Sequence, residues 1–143
     1  MLTNVNILPV VVAALLHMII GSLWYSQRFF GKPWMKLMGI KCDTEEDMAV
    51  LKKESKGMGK MYALAFVGSL LMAYTLSSLI SLTRMRTIVE IMELAFWCWL
   101  GFVAVTTFAN KLFTKKPLKL WAIDYGYPLV SLILMAILFT FWR

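Results

Sequence analysis

The chain has 143 residues, of which 60% are hydrophobic, and it carries a formal net charge of +7. That length leaves room for one domain, and so apolar a composition excludes an ordinary water-soluble globular protein. The positive charge does not indicate nucleic acid, because the basic residues flank the apolar stretches, where they meet lipid headgroups. We therefore expect membrane lipids, and no nucleic acid, among the partners.

Four apolar stretches follow one another along the chain, at roughly 7–26, 62–82, 88–112 and 120–142. Each is long enough to cross the hydrocarbon core of a bilayer. Within lipid, only helices and closed barrels satisfy their own backbone polar groups. The sequence therefore predicts an all-α fold, an integral membrane four-helix bundle that forms a single transmembrane domain.

The first stretch carries the single histidine of the chain, His17, near its middle. One interpretation is a neutral imidazole that is hydrogen-bonded to a neighbouring helix. The other is a proton acceptor or ligand, because imidazole titrates close to neutral pH. One histidine alone does not make a zinc or haem site, so we expect no metal and no cofactor. The stretch ends in Trp24 and Tyr25, which are typical of an interfacial aromatic belt.

The loop at 27–61 is too long to be a mere connector. Its first part alternates large apolar and cationic residues around Phe30, Gly31, Lys32 and Trp34. This pattern predicts a short amphipathic helix that lies in the membrane interface, with its lysines near phosphate headgroups.

The second part of this loop, 43–57, predicts a separate small helix. Thr44 and Asp47 have the spacing of a capping box, although Asp replaces the usual Glu or Gln. Resting on the membrane surface is the simpler role for this helix. Docking a cytoplasmic or membrane protein partner is the alternative.

Small residues recur at every fourth position of the second stretch. Lipid gives no hydrophobic drive for helix association, so small residues that allow close approach mark contact faces. We expect this stripe to pack within the bundle or between subunits of a homo-oligomer. Its members are Ala65, Ser69, Ala73, Ser77 and Ser81.

The third stretch opens with two glutamates, Glu90 and Glu93, which share a helix face because they are three residues apart. Arg84 and Arg86 precede them, which favours interfacial anchoring by ion pairs. The alternative makes Glu93, the deeper of the two, a cation or proton site. Glu93 also shares a stripe with Gly101, and we expect such polar residues to point into the bundle.

Asp124 lies near the start of the fourth stretch, beside the lysines of the third loop. An ion pair there, or a hydrogen bond to Asn110 or Tyr127, fits the sequence as well as a functional role does. Pro128 predicts a kink that leaves one backbone carbonyl in need of a partner.

Twelve of the 15 lysines and arginines lie in or beside the first and third loops. The positive-inside rule therefore predicts that both loops are cytoplasmic and that both termini lie outside. The expected location is a cytoplasmic, or inner, membrane that the chain crosses several times.

Two blocks of residues are similar to a known family. The first is GSLWYS at 21–26, with FGK at 30–32 and WMK at 34–36; the second is GFV at 101–103, then Asn110, KPLK at 116–119 and DYGY at 124–127. Together they resemble the mainly bacterial membrane family called domain of unknown function 1761. The resemblance implies a small four-span protein of prokaryotic membranes with no assigned activity. It marks these residues as family features without a catalytic role: Trp24, Tyr25, Phe30, Gly31, Trp34, Asn110 and Asp124.

The sequence contains no Cys-x-x-Cys pair, no phosphate-binding glycine loop and no metalloprotease or nucleophile-elbow motif, so it favours a protein that is not an enzyme. The predicted function is binding or passage of a small solute or ion through the bundle, by a polar path from Glu93 through His17 to Asp124. The alternatives are a non-transporting accessory or assembly protein, and a small membrane-embedded enzyme that acts on a lipophilic substrate. The candidate binding residues are His17, Glu90, Glu93, Asn110, Asp124 and Tyr127.

Overall fold

A computed structural model describes residues 5–142, and the fold is all-α, as the sequence predicts. A π-helical segment, Trp99–Ala104, joins α5 directly to α6, and a 3₁₀ turn, Ser55–Gly57, follows α3. The α-helices are, in chain order, α1 (Ile7–Trp24), α2 (Gly31–Leu37), α3 (Glu45–Glu54), α4 (Gly59–Thr83), α5 (Ile88–Cys98), α6 (Val105–Thr114) and α7 (Leu118–Phe141).

Four helical rods are long and apolar enough to cross a membrane: α1, α4, α7 and the third span, Ile88–Thr114, which α5, the π segment and α6 form together. The predicted four-helix bundle is thus confirmed, with ends that differ by up to three residues. α4 and α7 start earlier than predicted, so Lys60 and Lys119 lie within helices; their long stems let the charges reach the surface. The protein is a multi-pass membrane protein.

The two ends of the bundle differ in what they carry. The loop end carries α2, α3 and the connection at 115–117, and the terminal end carries Val5, Trp142 and the connection at 84–87. Helices α1 and α7 form the centre: α1 packs along α4 on one side and along α7 on the other, and α7 also packs along the third span. α4 and the third span meet over only a short length, where Ile80 and Ile91 are both buried.

The buried face of α4 follows the middle of the predicted small-residue stripe. Ser69 and Ala73 are buried, whereas Ala65 and Ser81, towards the two ends of the helix, are exposed. Leu76 continues the buried face towards the terminal end. The small residues therefore mark the close contact with α1 only where the two helices cross.

The polar stripe of the third span faces away from the bundle, contrary to the inward orientation expected from the sequence. Glu93 and Gly101 are exposed, and the side chains that pack against the other helices are those of Ile91 and Ala95. Glu93 is two residues from each of them, so it lies about 200° around the helix from both. The apolar residues take the inward face, and the carboxylate cannot share it.

The two helices of the first loop form as the sequence predicts. α2 contains Pro33 in its first turn, and Gly39 follows it with a φ of 75°, a left-handed conformation that glycine adopts without strain. The capping box of α3 is confirmed with Asp in the third position: the Asp47 N–H donates to Thr44 Oγ1 at 3.1 Å, and the Thr44 N–H donates to Asp47 Oδ2 at 3.2 Å. An exposed ion pair, Lys36 to Asp43 at 3.0 Å, links α2 to the segment that precedes α3.

Candidate functional site

A carboxylate at the loop end is bound by two aromatic side chains that come from other elements. Trp34 Nε1, on α2, donates to Asp124 Oδ1 at 2.6 Å, and the Tyr25 hydroxyl donates to the same oxygen at 3.2 Å. Asp124 lies in the second turn of α7, so these bonds hold helix α2 and the end of α1 against the fourth span. We call Trp24, Tyr25, Trp34 and Asp124 the loop-end clamp.

The tight turn between α1 and α2 makes this geometry possible. The Gly31 N–H donates to Ser26 O at 2.9 Å, and the Phe30 N–H donates to Trp24 O at 3.0 Å. A Cβ at Gly31 would clash with Tyr25 O and would lie 2.7 Å from Ser26 O, both backbone atoms. Glycine is therefore required by the close approach of the backbone, which turns α2 back towards α7.

Indole N–H groups bind the backbone of α7 on both sides of Asp124. Trp24 Nε1 donates to Ile123 O at 2.9 Å, and Trp99 Nε1 donates to Tyr125 O at 2.8 Å. Pro128 has no N–H for the Asp124 carbonyl, and its ring disturbs the neighbouring helical bonds. Helix α7 nevertheless continues unbroken through Pro128. Bonds from neighbouring helices are how proline is accommodated within spans.

His17 is linked to this region through Tyr127. The Tyr127 hydroxyl donates to His17 O at 3.1 Å, and the two rings are stacked with centroids 4.7 Å apart. A Cβ at Gly21 would lie 2.9 Å from the Tyr127 hydroxyl oxygen, so the glycine leaves room for this ring.

The imidazole of His17 also binds α4. Its Nδ1 lies 2.7 Å from Ser69 Oγ, and that hydroxyl donates its one hydrogen to Ala65 O at 2.8 Å. Ser69 therefore accepts from His17, which places a proton on Nδ1. This geometry agrees with the first interpretation of His17, a histidine hydrogen-bonded to a neighbouring helix.

A cavity of about 140 Å³ opens beside the loop-end clamp, between α6 and α7. Trp121 Nε1 donates to Thr107 Oγ1 at 3.0 Å across this cavity, and the ammonium group of Lys111 lies 5.6 Å from the centre of the Phe108 ring. We call this volume the loop-end cavity. Its polar lining consists of Thr107, Asn110, Lys111, Thr114, Lys116, Trp121, Asp124 and Tyr125.

The structure brings most of the sequence-predicted residues into one region. Asn110 and Asp124 line the same cavity, although Asp124 binds Trp34 and Tyr25 rather than Asn110 or a lysine. Lys32 lies nearby in an exposed cationic groove with Lys36 and Lys119. The connected set is His17, Trp24, Tyr25, Phe30, Gly31, Trp34, Asn110, Asp124 and Tyr127.

The two glutamates are not part of this region. Glu90 Oε2 accepts the backbone N–H groups of Arg86, at 3.2 Å, and Thr87, at 3.1 Å, so it caps α5 at the terminal end. Glu93 lines a shallow exposed hollow with Phe96 and other apolar residues. Within residues 5–142, no three His, Cys, Asp or Glu side chains come together as a metal site needs.

Sequence reasoning missed Trp99, Trp121, Thr107 and Lys111. Trp99 and Trp121 lie within predicted spans, and a partly buried indole N–H needs a hydrogen-bond acceptor. This requirement is the feature of the sequence that could have identified both residues as parts of the site. Nothing in the sequence identifies the acceptor, because Tyr125 O is a backbone atom 26 residues from Trp99.

The chain was compared with protein families, with curated proteins and with solved structures. One family matches residues 8–140, and it is described as "Protein of unknown function (DUF1761)". No curated protein and no solved structure matches. The family match covers both blocks of residues on which the resemblance rested, and the structure brings Tyr25, Trp34 and Asp124 from those blocks into contact.

Proposed function

This chain belongs to the DUF1761 family of proteins of unknown function, and we propose that it binds a small anionic group in the loop-end cavity. This corresponds to solute binding in the bundle rather than to passage across it. The observation that carries the proposal is the cavity lining, in which the ammonium groups of Lys111 and Lys116 and the amide of Asn110 line one volume.

The chemistry of the lining favours an anion. Ammonium and amide N–H groups donate hydrogen bonds, and charge-assisted bonds to phosphate or carboxylate oxygens are the strongest of these. Asp124 is the one carboxylate in the lining, and its Oδ1 already accepts bonds from Trp34 and Tyr25. A cation would instead meet two lysines at close range.

Binding at one end is better supported than a path across the bundle. Between Asp124 and His17, the Tyr25 ring meets the Tyr127 ring edge to face with centroids 5.9 Å apart, and the Tyr127 ring stacks on His17 with centroids 4.7 Å apart. These contacting rings lie where a solute would have to pass between Asp124 and His17. Glu93, the third member of the hypothesised path, lies on the exposed face of the third span.

We further propose that the loop end is cytoplasmic and that the protein lies in a prokaryotic inner membrane. The support is the concentration of 12 of the 15 basic residues at that end, which the positive-inside rule assigns to the cytoplasm. The anionic ligand would then come from the cytoplasm or from the cytoplasmic leaflet.

Phosphate binding by the purified protein in neutral detergent tests the proposal. Inorganic phosphate is the probe, and the broadening of its ³¹P resonance is the measurement. We expect binding by the wild type and a weakening of about tenfold or more, equivalent to about 1.4 kcal/mol, in the double variant Lys111→Gln/Lys116→Gln.

The matched control is Lys52→Gln/Lys53→Gln, which removes the same charge from α3, outside the cavity. An equal weakening in both double variants would contradict the proposal, because it would show general attraction to a basic surface. Absence of phosphate binding by the wild type would contradict it as well.

A further inference from the structure

A second cavity, which is apolar, lies on the membrane-facing side of the bundle. It has a volume of about 270 Å³ between α4 and the third span, and we call it the lateral cleft. Met72 and Leu79 lie on its α4 side, Cys98 and Phe102 lie on its third-span side, and Leu132 of α7 forms its floor. Thr75 and Val103 complete the part of the lining used below.

The lateral cleft forms where the third span departs from regular α-helix. α4 and the third span touch near Ile80 and Ile91, towards the terminal end. The π segment begins at Trp99, and the indole of that residue is bound to α7 through Tyr125 O. The span is thus held to α7 rather than to α4 at this level, and Phe102 is left 78% exposed at the edge of the cleft.

The lateral cleft adjoins the loop-end cavity along the third span. Val103 lines the cleft and Thr107 lines the cavity, and Thr107 Oγ1 donates to Val103 O at 2.6 Å. Four residues of helix rise about 6 Å, so the apolar volume begins about one turn beyond the polar one. The loop-end cavity, with its cationic donors, therefore lies nearer the loop end. The apolar lateral cleft lies deeper, at the depth of the acyl chains.

We infer that the ligand of the loop-end cavity is the head of an anionic membrane phospholipid and that one of its acyl chains lies in the lateral cleft. This inference rests on the proposed anion site and names its ligand. The order of the two volumes matches the order of head and chain in the leaflet at the loop end. A free phosphate ester carries the same anionic group as the phospholipid but has no acyl chain to place in the lateral cleft. Experiments that alter the cleft can therefore distinguish the two ligands.

Native mass spectrometry of the purified protein in neutral detergent tests the inference. Two lipids with identical acyl chains are titrated, phosphatidylglycerol, which is anionic, and phosphatidylcholine, which is zwitterionic. We expect the wild type to prefer phosphatidylglycerol by about tenfold and Lys111→Gln/Lys116→Gln to lose that preference.

The predicted position of the acyl chain is tested by substitutions that fill the lateral cleft. Thr75 is exposed at the cleft, so Thr75→Trp adds a large ring there, and Met72→Phe is a milder second filling variant if the first is poorly folded. Either variant is expected to weaken phosphatidylglycerol binding about fivefold and to leave inorganic phosphate binding unchanged. Leu82→Trp, at an exposed site near the terminal end of α4, is the matched control and is expected to bind as the wild type does.

The outcomes separate the two proposals. If phosphate binds but filling the cleft leaves phosphatidylglycerol binding unchanged, the inference is overturned and the anion site stands. Binding of phosphatidylglycerol that is insensitive to both lysines is adventitious annular lipid, and it also overturns the inference. If the wild type binds neither phosphate nor phosphatidylglycerol, both proposals fail.

Discussion

The two halves of the bundle are held together by different interactions. In the half near the loop end, indole, phenol and imidazole groups reach across helices to a carboxylate, to backbone carbonyls and to a hydroxyl. In the half near the terminal end, the helices meet through a solid apolar core. Its largest fully buried members are Phe139, Ile80, Ile91 and Met135.

The difference lies in what fixes the side chains of each half. Van der Waals packing has no hydrophobic drive to assist it in lipid, so the stability of the apolar half depends on the close packing of its buried side chains. The polar half is instead positioned by directional bonds between a few atoms, which leaves open space beside them. The loop-end cavity lies in that half, next to Asp124.

The largest loss of stability is expected from a substitution that opens a void in the apolar half. Phe139 is fully buried and Phe141 is 80% exposed, so the pair forms a matched test on one helix. Phe139→Ala should lower the free energy of unfolding by about 3–5 kcal/mol, and Phe141→Ala should change it by about 0.5 kcal/mol or less. Unfolding in mixed micelles with increasing SDS measures both, and similar losses would refute the idea of a well-packed terminal half.

The next largest loss of stability is expected at the tight turn between α1 and α2 in the polar half, where two backbone segments approach closely. Gly31→Ala places a methyl group against Tyr25 O and Ser26 O, which cannot move without displacing α2. We expect a loss of about 2–3 kcal/mol in the same assay, together with a change in the tryptophan fluorescence, to which Trp34 contributes. Gly68→Ala is the control, because a Cβ at Gly68 meets nothing within 4 Å. A stable Gly31→Ala protein with unchanged fluorescence would show that the tight turn does not position the clamp.

Removing the acceptor of the loop-end clamp should have a somewhat smaller effect. Asp124→Leu leaves Trp34 Nε1 and the Tyr25 hydroxyl without their acceptor, and we expect a cost of about 1–3 kcal/mol. Asp124→Asn retains an acceptor oxygen of the same shape and should cost less. If both variants lose the same stability, the negative charge of Asp124 matters more than its hydrogen bonds. The micelle assay at two salt concentrations distinguishes these cases, since salt screens charge.

The spans and the loop helices could be predicted because each depends on local sequence. Length and hydropathy fix a span, and Thr44 with Asp47 fixes the start of α3 through bonds within one turn. The inward orientation expected of Glu93 was wrong, because the spacing of small and polar residues marks a face without saying what the face meets. The inward face was taken by the neighbouring apolar residues Ile91 and Ala95.

The site could be predicted only in part, because its bonds join residues far apart in the chain. Asp124 and Trp34 were both singled out, but their contact spans 90 residues. The π segment was not predicted, since regular and π-helical turns of apolar residues look alike in sequence. Its position depends on the bond from Trp99 to the α7 backbone, which exists only in the folded bundle.

The smallest predicted effect concerns α3, which belongs to neither half of the bundle and has no buried residue. The hydrogen bonds with Thr44 hold the pKa of Asp47 below its ordinary value of 3.8. The capping box therefore stabilises α3 fully above about pH 4 and is lost as the pH falls through that lowered pKa. Hydrogen exchange should show the first-turn amides of α3 opening in acid while α4 stays protected. Asp47→Asn should reduce this pH dependence, although Glu45 and Glu46 also titrate in the first turn. If acid opened α3 and the loop-end clamp together, α3 would be coupled to the polar half of the bundle and would have to be counted as part of it.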